Sequence, residues 1–133
     1  MSIEANKAAA RRFIANLPKD IIEEDRLAPD FTYWTIPTGT MSRDLLTAPG
    51  PKMSKLFDGP ATITETGITA EGDRVAMEAK SDGLLVSGKR YSNIYHFLFV
   101  FTPDGLLREV KEHMNTAHFT ETLGPVMMAA AAQ

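Results

Sequence analysis

Gly88-Lys89-Arg90-Tyr91-Ser92-Asn93-Ile94-Tyr95-His96-Phe97-Leu98-Phe99-Val100-Phe101, closed by the turn Pro103-Asp104-Gly105, is the stretch that decides the fold. Its aromatic and β-branched content makes residues 89–102 a strand. Successive side chains of a strand point to opposite faces. Tyr91, Asn93, Tyr95, Phe97, Phe99 and Phe101 therefore share one side, and Ser92, Ile94, His96, Leu98 and Val100 the other. Both sides are largely apolar, whereas an antiparallel strand with one wet face alternates apolar with polar. The strand is expected to be covered twice, by helices on one side and by a second copy of the chain on the other, giving a homodimer through the sheet face. A loop or the C-terminal tail is the alternative cover.

Outward from this strand, residues 61–70, 75–83 and 106–116 are further strand-like runs. Glu71-Gly72-Asp73, Ser87-Gly88 and Pro103-Asp104-Gly105 separate the runs as hairpin connections of an antiparallel meander. Residues 31–36 form an earlier strand closed by Pro37-Thr38-Gly39. Residues 4–17 predict an amphipathic helix with Ala10, Phe13, Ile14 and Leu17 on one stripe, ended by Pro18. A short second helix is expected over 19–27, with Ile21, Ile22 and Leu27 inward. Another is expected over 42–57, broken at Pro49-Gly50-Pro51. A last helix spans 117–123, and 124–133 reads as a frayed tail. The order implies one α+β domain over 1–133, a curved, mainly antiparallel sheet with helices on one face.

The chain has 133 residues, 44% hydrophobic and 23% charged, enough for one domain with a real core. A net charge of −3, with no Lys/Arg cluster longer than a pair, speaks against a nucleic-acid partner. Cysteine is absent, which removes disulfides and thiolate metal sites and suits a cytoplasmic protein. No run approaches the roughly 18 apolar residues of a membrane span. Glu4 precedes the basic pair with no apolar region behind it, so no export signal is expected. His96, His113 and His118 lack ligand spacing, and neither a nucleophile elbow nor a phosphate loop is present. No metal and no organic cofactor are expected.

Chemistry is anticipated at residues 106–116, where Arg108, Val110, Glu112 and Met114 share a side. A carboxylate between apolar neighbours needs a partner, or its pKa rises toward neutrality, which suits proton transfer. In the strand over 75–83, Ala76, Glu78 and Lys80 share one face and Val75, Met77, Ala79 and Ser81 the other. Glu78 or Lys80 is the expected partner of Glu112; a solvated Glu78–Lys80 ladder is the alternative. Trp34, Met53, Phe57, Phe97 and Met114 are the material of an adaptable apolar cavity. Asn93 and Tyr95 would orient a ligand there, unless Asn93 ties its strand to a neighbour. His113 is expected to pack or to lie at an interface.

The long strand, Asp104-Gly105 and Glu112-His113-Met114-Asn115-Thr116 together resemble the nuclear transport factor 2-like superfamily. The resemblance is strongest to its SnoaL-like branch of polyketide cyclases and ketosteroid isomerase relatives, with a pattern like Gly-Lys-x-Tyr-x-Asn-x-Tyr. Asp30-Phe31-Thr32-Tyr33-Trp34 and Glu71-Gly72-Asp73-Arg74-Val75 extend it over nearly the whole chain. The resemblance implies a cone-shaped α+β roll, and it fixes activity poorly because the fold hosts many chemistries. The ketosteroid isomerase positions fall on Ile36, Phe97 and the region of Arg12 and Phe13, so that set of groups is missing. The limonene-epoxide hydrolase positions fall on Tyr33, Thr35, Glu78, Lys80 and Glu112; Tyr33 and Glu112 match in kind. The polyketide-cyclase acid points to Glu112 or its surroundings, while the usual Asp after it is Asn115, which cannot act as a base. The expectation is an acid/base enzyme of isomerase, cyclase, dehydratase or hydrolase type acting on a small hydrophobic oxygenated molecule. Glu112 would be the acid or base, Glu78 and Lys80 would tune it, and Tyr33, Asn93 and Tyr95 would position the substrate oxygen. A non-catalytic carrier or sensor with the same pocket is the alternative, and a dimerisation module with a filled cavity the third.

Overall fold

Ser2 starts the helical layer by capping α1 (Ile3–Asn16): its hydroxyl accepts the Ala5 amide at 3.0 Å, satisfying an N–H that the first turn leaves open. The computed structural model describes residues 2–49 and 52–132. Asn6, Ala10 and Ile14 form the buried stripe of α1, with Phe13 half-buried beside them, close to the predicted periodicity. The helix expected over 19–27 does not form. Asp20 takes a left-handed backbone conformation, φ 59°, which interrupts helical propagation. Only short 3₁₀ turns, Leu17–Lys19 and Glu24–Arg26, precede β1 (Leu27–Thr35). Leu27 is thus buried as a strand residue, and Ile21 is exposed.

β1 folds back through residues 36–38 into β2 (Gly39–Ser42), a hairpin partner that the sequence reading missed. In place of the broken helix over 42–57 stand α2 (Arg43–Thr47) and a 3₁₀ turn, Met53–Leu56; Gly50 and Pro51 lie outside the described residues. The rest of the sheet is β3 (Thr62–Glu71), β4 (Arg74–Leu84), β5 (Arg90–Tyr91), β6 (Ile94–Phe101) and β7 (Leu107–Met114). Ser92-Asn93 splits the expected long strand into β5 and β6. Strand order is β2-β1-β7-β6-β4-β3, with β5 on β4. The predicted meander is present, and β1 adds to it in parallel with β7, so the sheet is mixed.

The sheet curls into a half-barrel around the helices. Register breaks lie between Glu65 and Gly67 on β3 and at Val100/Phe101, where Arg108 is the extra residue on β7. Such bulges bend a strand and increase its twist. The break explains why Leu107, and not Arg108, joins Val110 and Glu112 on the inner side. α3 (Thr116–Glu121) and α4 (Leu123–Ala131) close the chain. Residues 124–131, expected to fray, are therefore helical. Pro125 sits in the first turn of α4, where a missing N–H has no helical partner to lose, and Leu123 and Val126 are buried.

Two apolar clusters result. The first joins Ala10 and Ile14 to Phe31, Tyr33, Met77, Phe97, Phe99 and Val110 on the inner sheet. The second gathers Leu56, Leu85, Tyr91, Leu123 and Val126 beneath α4, and Tyr95 packs against both. The strap over 57–61 is held on the sheet at Gly83, where an added Cβ would lie 2.7 Å from the Phe57 ring and 3.1 Å from the Ala61 methyl. Gly83→Ala should therefore destabilise the fold by roughly 1–3 kcal/mol through overpacking. Urea unfolding measures this, and an unchanged midpoint would mean that the strap is not seated there.

Candidate active site

Strand register places Glu112 among apolar neighbours before any side chain is considered. Thr35, Glu112, Phe97, Met77 and Ile68 are successive partners across β1, β7, β6, β4 and β3. Tyr33, Val110, Phe99, Val75 and Ala70 form the adjacent inner row. Glu112 is 8% exposed and Tyr33 4%. The Tyr33 hydroxyl donates to Glu112 Oε1 at 2.6 Å, a short bond of the kind made to an ionised acceptor. Among the described residues, no hydrogen bond to Oε2 is present. Burial pushes the Glu112 carboxyl up to about 7 against the opposing pull of the Tyr33 hydrogen bond. Burial, and then the neighbouring Glu112 charge, hold the Tyr33 phenol well above its usual value, so Tyr33 stays a donor.

A second polar group lies one row on, where Met114 pairs with Tyr95. The Tyr95 hydroxyl is 2.9 Å from Ser81 Oγ and donates to Tyr91 Oη at 3.1 Å. Tyr91 Oη also accepts from Asn93 Nδ2 at 2.9 Å. Burial raises both Tyr91 and Tyr95 above the ordinary phenol value, and the charge of Glu112 adds to the rise in each. Of the three tyrosines of the chain, Tyr33 alone bonds the carboxyl, while Tyr91 and Tyr95 sense its charge. Tyr95 stands where the two apolar clusters meet.

Glu112, Tyr33, Tyr95, Phe97 and Met114 fall on the inner face as expected. Glu78 and Lys80 do not meet Glu112. Val75, Met77 and Ala79 take the inner positions of β4, which turns Glu78 and Lys80 to the exposed outer face opposite His96 and Ile94. Trp34 also faces outward, its ring 5.2 Å from His113; alternation from buried Tyr33 requires it. Met53 is exposed on its 3₁₀ turn, and Phe57 packs in the second cluster beside Tyr91. Asn93 is a structural tie. Its Oδ1 accepts the Ile94 and Asn115 amides at 2.8 and 3.0 Å, and its Nδ2 reaches the Asn115 carbonyl at 3.1 Å. His96 and His113 lie on the outer face, away from Glu112, and are cross-strand partners there.

A cleft of about 250 Å³ opens between α1 and the β3–β4 edge, lined by Arg11, Ile14, Ala15, Ile63, Glu65 and Met77. A smaller one beside Arg12 and Glu23 holds about 30 Å³, room for one water. Neither is lined by Glu112 or Tyr33. The Phe13 ring approaches Tyr33 at 6.1 Å, and Tyr95 stacks on Phe97 at 5.3 Å. Met114 and Tyr95 are half-buried neighbours of Glu112 in the inner rows, and they form the less enclosed side of the site. Residues that could group around a metal ion are absent among the described residues, and no described helix is long and apolar enough to cross a membrane.

No family model matches the chain, and no curated protein matches it. Solved structures do. A SnoaL-like protein from Jannaschia sp. CCS1 superposes with a TM-score of 0.67 at 19% identity, over 100% of this chain and 97% of that one. The BvnE pinacolase of Penicillium brevicompactum gives 0.74 at 15% identity, over 96% and 94% of the two chains. An LEH-like epoxide hydrolase of M. tuberculosis gives 0.68 at 15% identity, over 97% and 96%. Likeness at such identities establishes the fold.

The raised Glu112 pKa has a sign that stability can report. A carboxyl whose folded pKa, about 7, exceeds its ordinary 4.5 binds its proton more tightly when folded. No penalty exists below pH 4.5; stability is lost as pH rises from there, and the loss is complete above pH 7. Glu112→Gln, which keeps an acceptor for Tyr33, should match the parent near pH 4.5 and exceed it by on the order of 2–3 kcal/mol at pH 8. Parallel denaturation series at the two pH values check this.

Proposed function

We propose that this chain, which has the nuclear transport factor 2-like fold, is an enzyme that moves a proton on a small hydrophobic oxygenated molecule, with Glu112 as the general acid or base. The observation that carries the reading is the buried Tyr33–Glu112 pair, a carboxyl poised near pH 7 with one oxygen held by a phenol. General acid/base catalysis is most effective when the group's pKa lies near the working pH. Perturbed titration in an enclosed site is a recurrent mark of catalytic carboxyls. The epoxide hydrolase and pinacolase among the structural neighbours, both named for enzymatic reactions, support the general class.

Tyr33 fixes the carboxyl orientation and favours its ionised form, while burial favours the protonated form. The balance lets Glu112 exist in both forms at neutral pH. Substrate enters past Met114 and Tyr95, displacing half-buried side chains in place of an open cavity. Conversion of a panel of small epoxides and ketones, followed by chromatography, tests the reading. Glu112→Gln should lower turnover of any converted member by 10²-fold to 10⁴-fold. The pH profile of the parent should bend near pH 7, and Tyr33→Phe should move the bend upward, because the hydrogen bond it removes lowers the Glu112 pKa. Equal conversion by parent and Glu112→Gln would refute the reading.

The outer sheet face supports a companion proposal of a homodimer. Ile94 is 69% exposed there, and Trp34, Leu98 and Val100 lie half-buried on the same face, apolar side chains set among Lys80, Glu109 and Lys111 that a partner copy would cover. Light scattering should report a dimer, and Ile94→Asp should halve the mass; a concentration-independent parent monomer would exclude the arrangement.

A further inference from the structure

The hydroxyl chain beside Glu112 has a direction. Tyr95 gives its proton to Tyr91, so Ser81 is the donor in the Ser81–Tyr95 contact, and Ser81 Oγ in turn accepts the Asn93 amide at 3.2 Å. The chain runs from the Asn93 N–H through Ser81 and Tyr95 to Tyr91. Tyr91 Oη receives a second hydrogen bond from Asn93 Nδ2, which occupies both of its lone pairs. Its own proton is directed at Met114 Sδ, 3.9 Å away. A thioether is a weak acceptor. Tyr91 is therefore a phenol polarised from behind by two donors, with its proton left to the poorest partner available. The ring is held in place by the His118 imidazole, stacked at 5.4 Å and 12°, whose Nε2 is fixed by the Ser92 amide at 3.1 Å.

Met114 follows Glu112 by two residues on the same strand face, a separation of roughly 7 Å along the strand. That span fits the few atoms between a proton in transfer and an acceptor oxygen. We propose that Tyr91 is the residue that donates a hydrogen bond to the substrate oxygen, and that Met114 sulfur occupies the place of that oxygen until substrate arrives. The ligand class is a hydrophobic molecule with a carbonyl or similarly strong acceptor oxygen, bound with that oxygen on Tyr91 and its reacting part toward Glu112. The assignment rests on the reading of Glu112 given above and adds the donor that reading lacks.

Acetophenone carrying ¹³C at the carbonyl is a suitable probe, with ethylbenzene as the same shape without the oxygen. The bound carbonyl signal of the parent should move downfield, as a hydrogen-bonded carbonyl does, and Tyr91→Phe should abolish the move. The same variant should weaken acetophenone by about tenfold and leave ethylbenzene unchanged. Met114→Leu, which removes the competing acceptor and conserves volume, should keep the downfield signal and bind acetophenone at least as tightly as the parent. It also serves as the test should Tyr91→Phe fail to fold. A downfield signal that survives Tyr91→Phe, or acetophenone weakened by Met114→Leu, overturns the role of Tyr91 and leaves that of Glu112 standing. Failure of the parent to bind acetophenone at all also overturns the role of Tyr91, while that of Glu112 is decided separately by the conversion panel.

Discussion

One buried hydrogen bond, from the Tyr33 phenol to the Glu112 carboxyl, sets the terms for everything around it. An ionised carboxylate surrounded by Val110, Phe97 and Phe99 would be expelled from the interior without a donor. A single neutral donor offsets that penalty only in part, which is why the carboxyl settles near neutrality and not at its ordinary value. Two donors or an arginine would have held it ionised; none would have left it a permanent acid. The intermediate arrangement gives a group that changes charge at physiological pH.

The fold exists in a form that brings these two side chains together. Tyr33 and Glu112 are 79 residues apart, and they meet because β1 lies parallel to β7, with Tyr33 opposite Val110 and Thr35 opposite Glu112. Curling of the sheet turns this inner row toward α1, whose Ala10, Phe13 and Ile14 cover it. α4 and the Met53–Leu56 turn build a second apolar cluster beyond Tyr91. Tyr95 touches both clusters at their boundary and brings its hydroxyl, with those of Tyr91 and Ser81, to that place. This placement encloses the carboxylate without sealing it, since Met114 and Tyr95 remain half-buried.

Alternation along single strands was legible in the sequence, and it located Glu112, Phe97 and Met114 on one side and the histidines on the other. What alternation leaves open is pairing between strands. A charged partner for Glu112 on β4 points to Glu78 or Lys80, although Val75, Met77 and Ala79 on the opposite face claim the interior by the same rule. The true partner, Tyr33, entered only through family resemblance, because a parallel pairing between the first and last strands leaves no local signature. Trp34 differs from expectation for a related reason: its size suggests a cavity wall, but its position next to an inward Tyr33 makes it an outward residue. Asn93 reads equally as a ligand contact or a tie, and only the Ile94 and Asn115 amides on its Oδ1 decide for the tie.

Local compromises of this kind are informative when they coincide. Stability alone would replace Glu112 by an apolar side chain, since a half-compensated buried carboxyl is worse than a packed methyl group, and would give the Tyr91 proton an oxygen rather than a sulfur. Both departures occur on the same strand face, two residues apart at Glu112 and Met114, near where the two apolar clusters meet. Phe31, Phe97, Phe99 and Val110 on the inner sheet beside them are apolar and buried. On the function proposed above, a site that exchanges a proton and holds an oxygen leaves those groups incompletely satisfied until the substrate completes them.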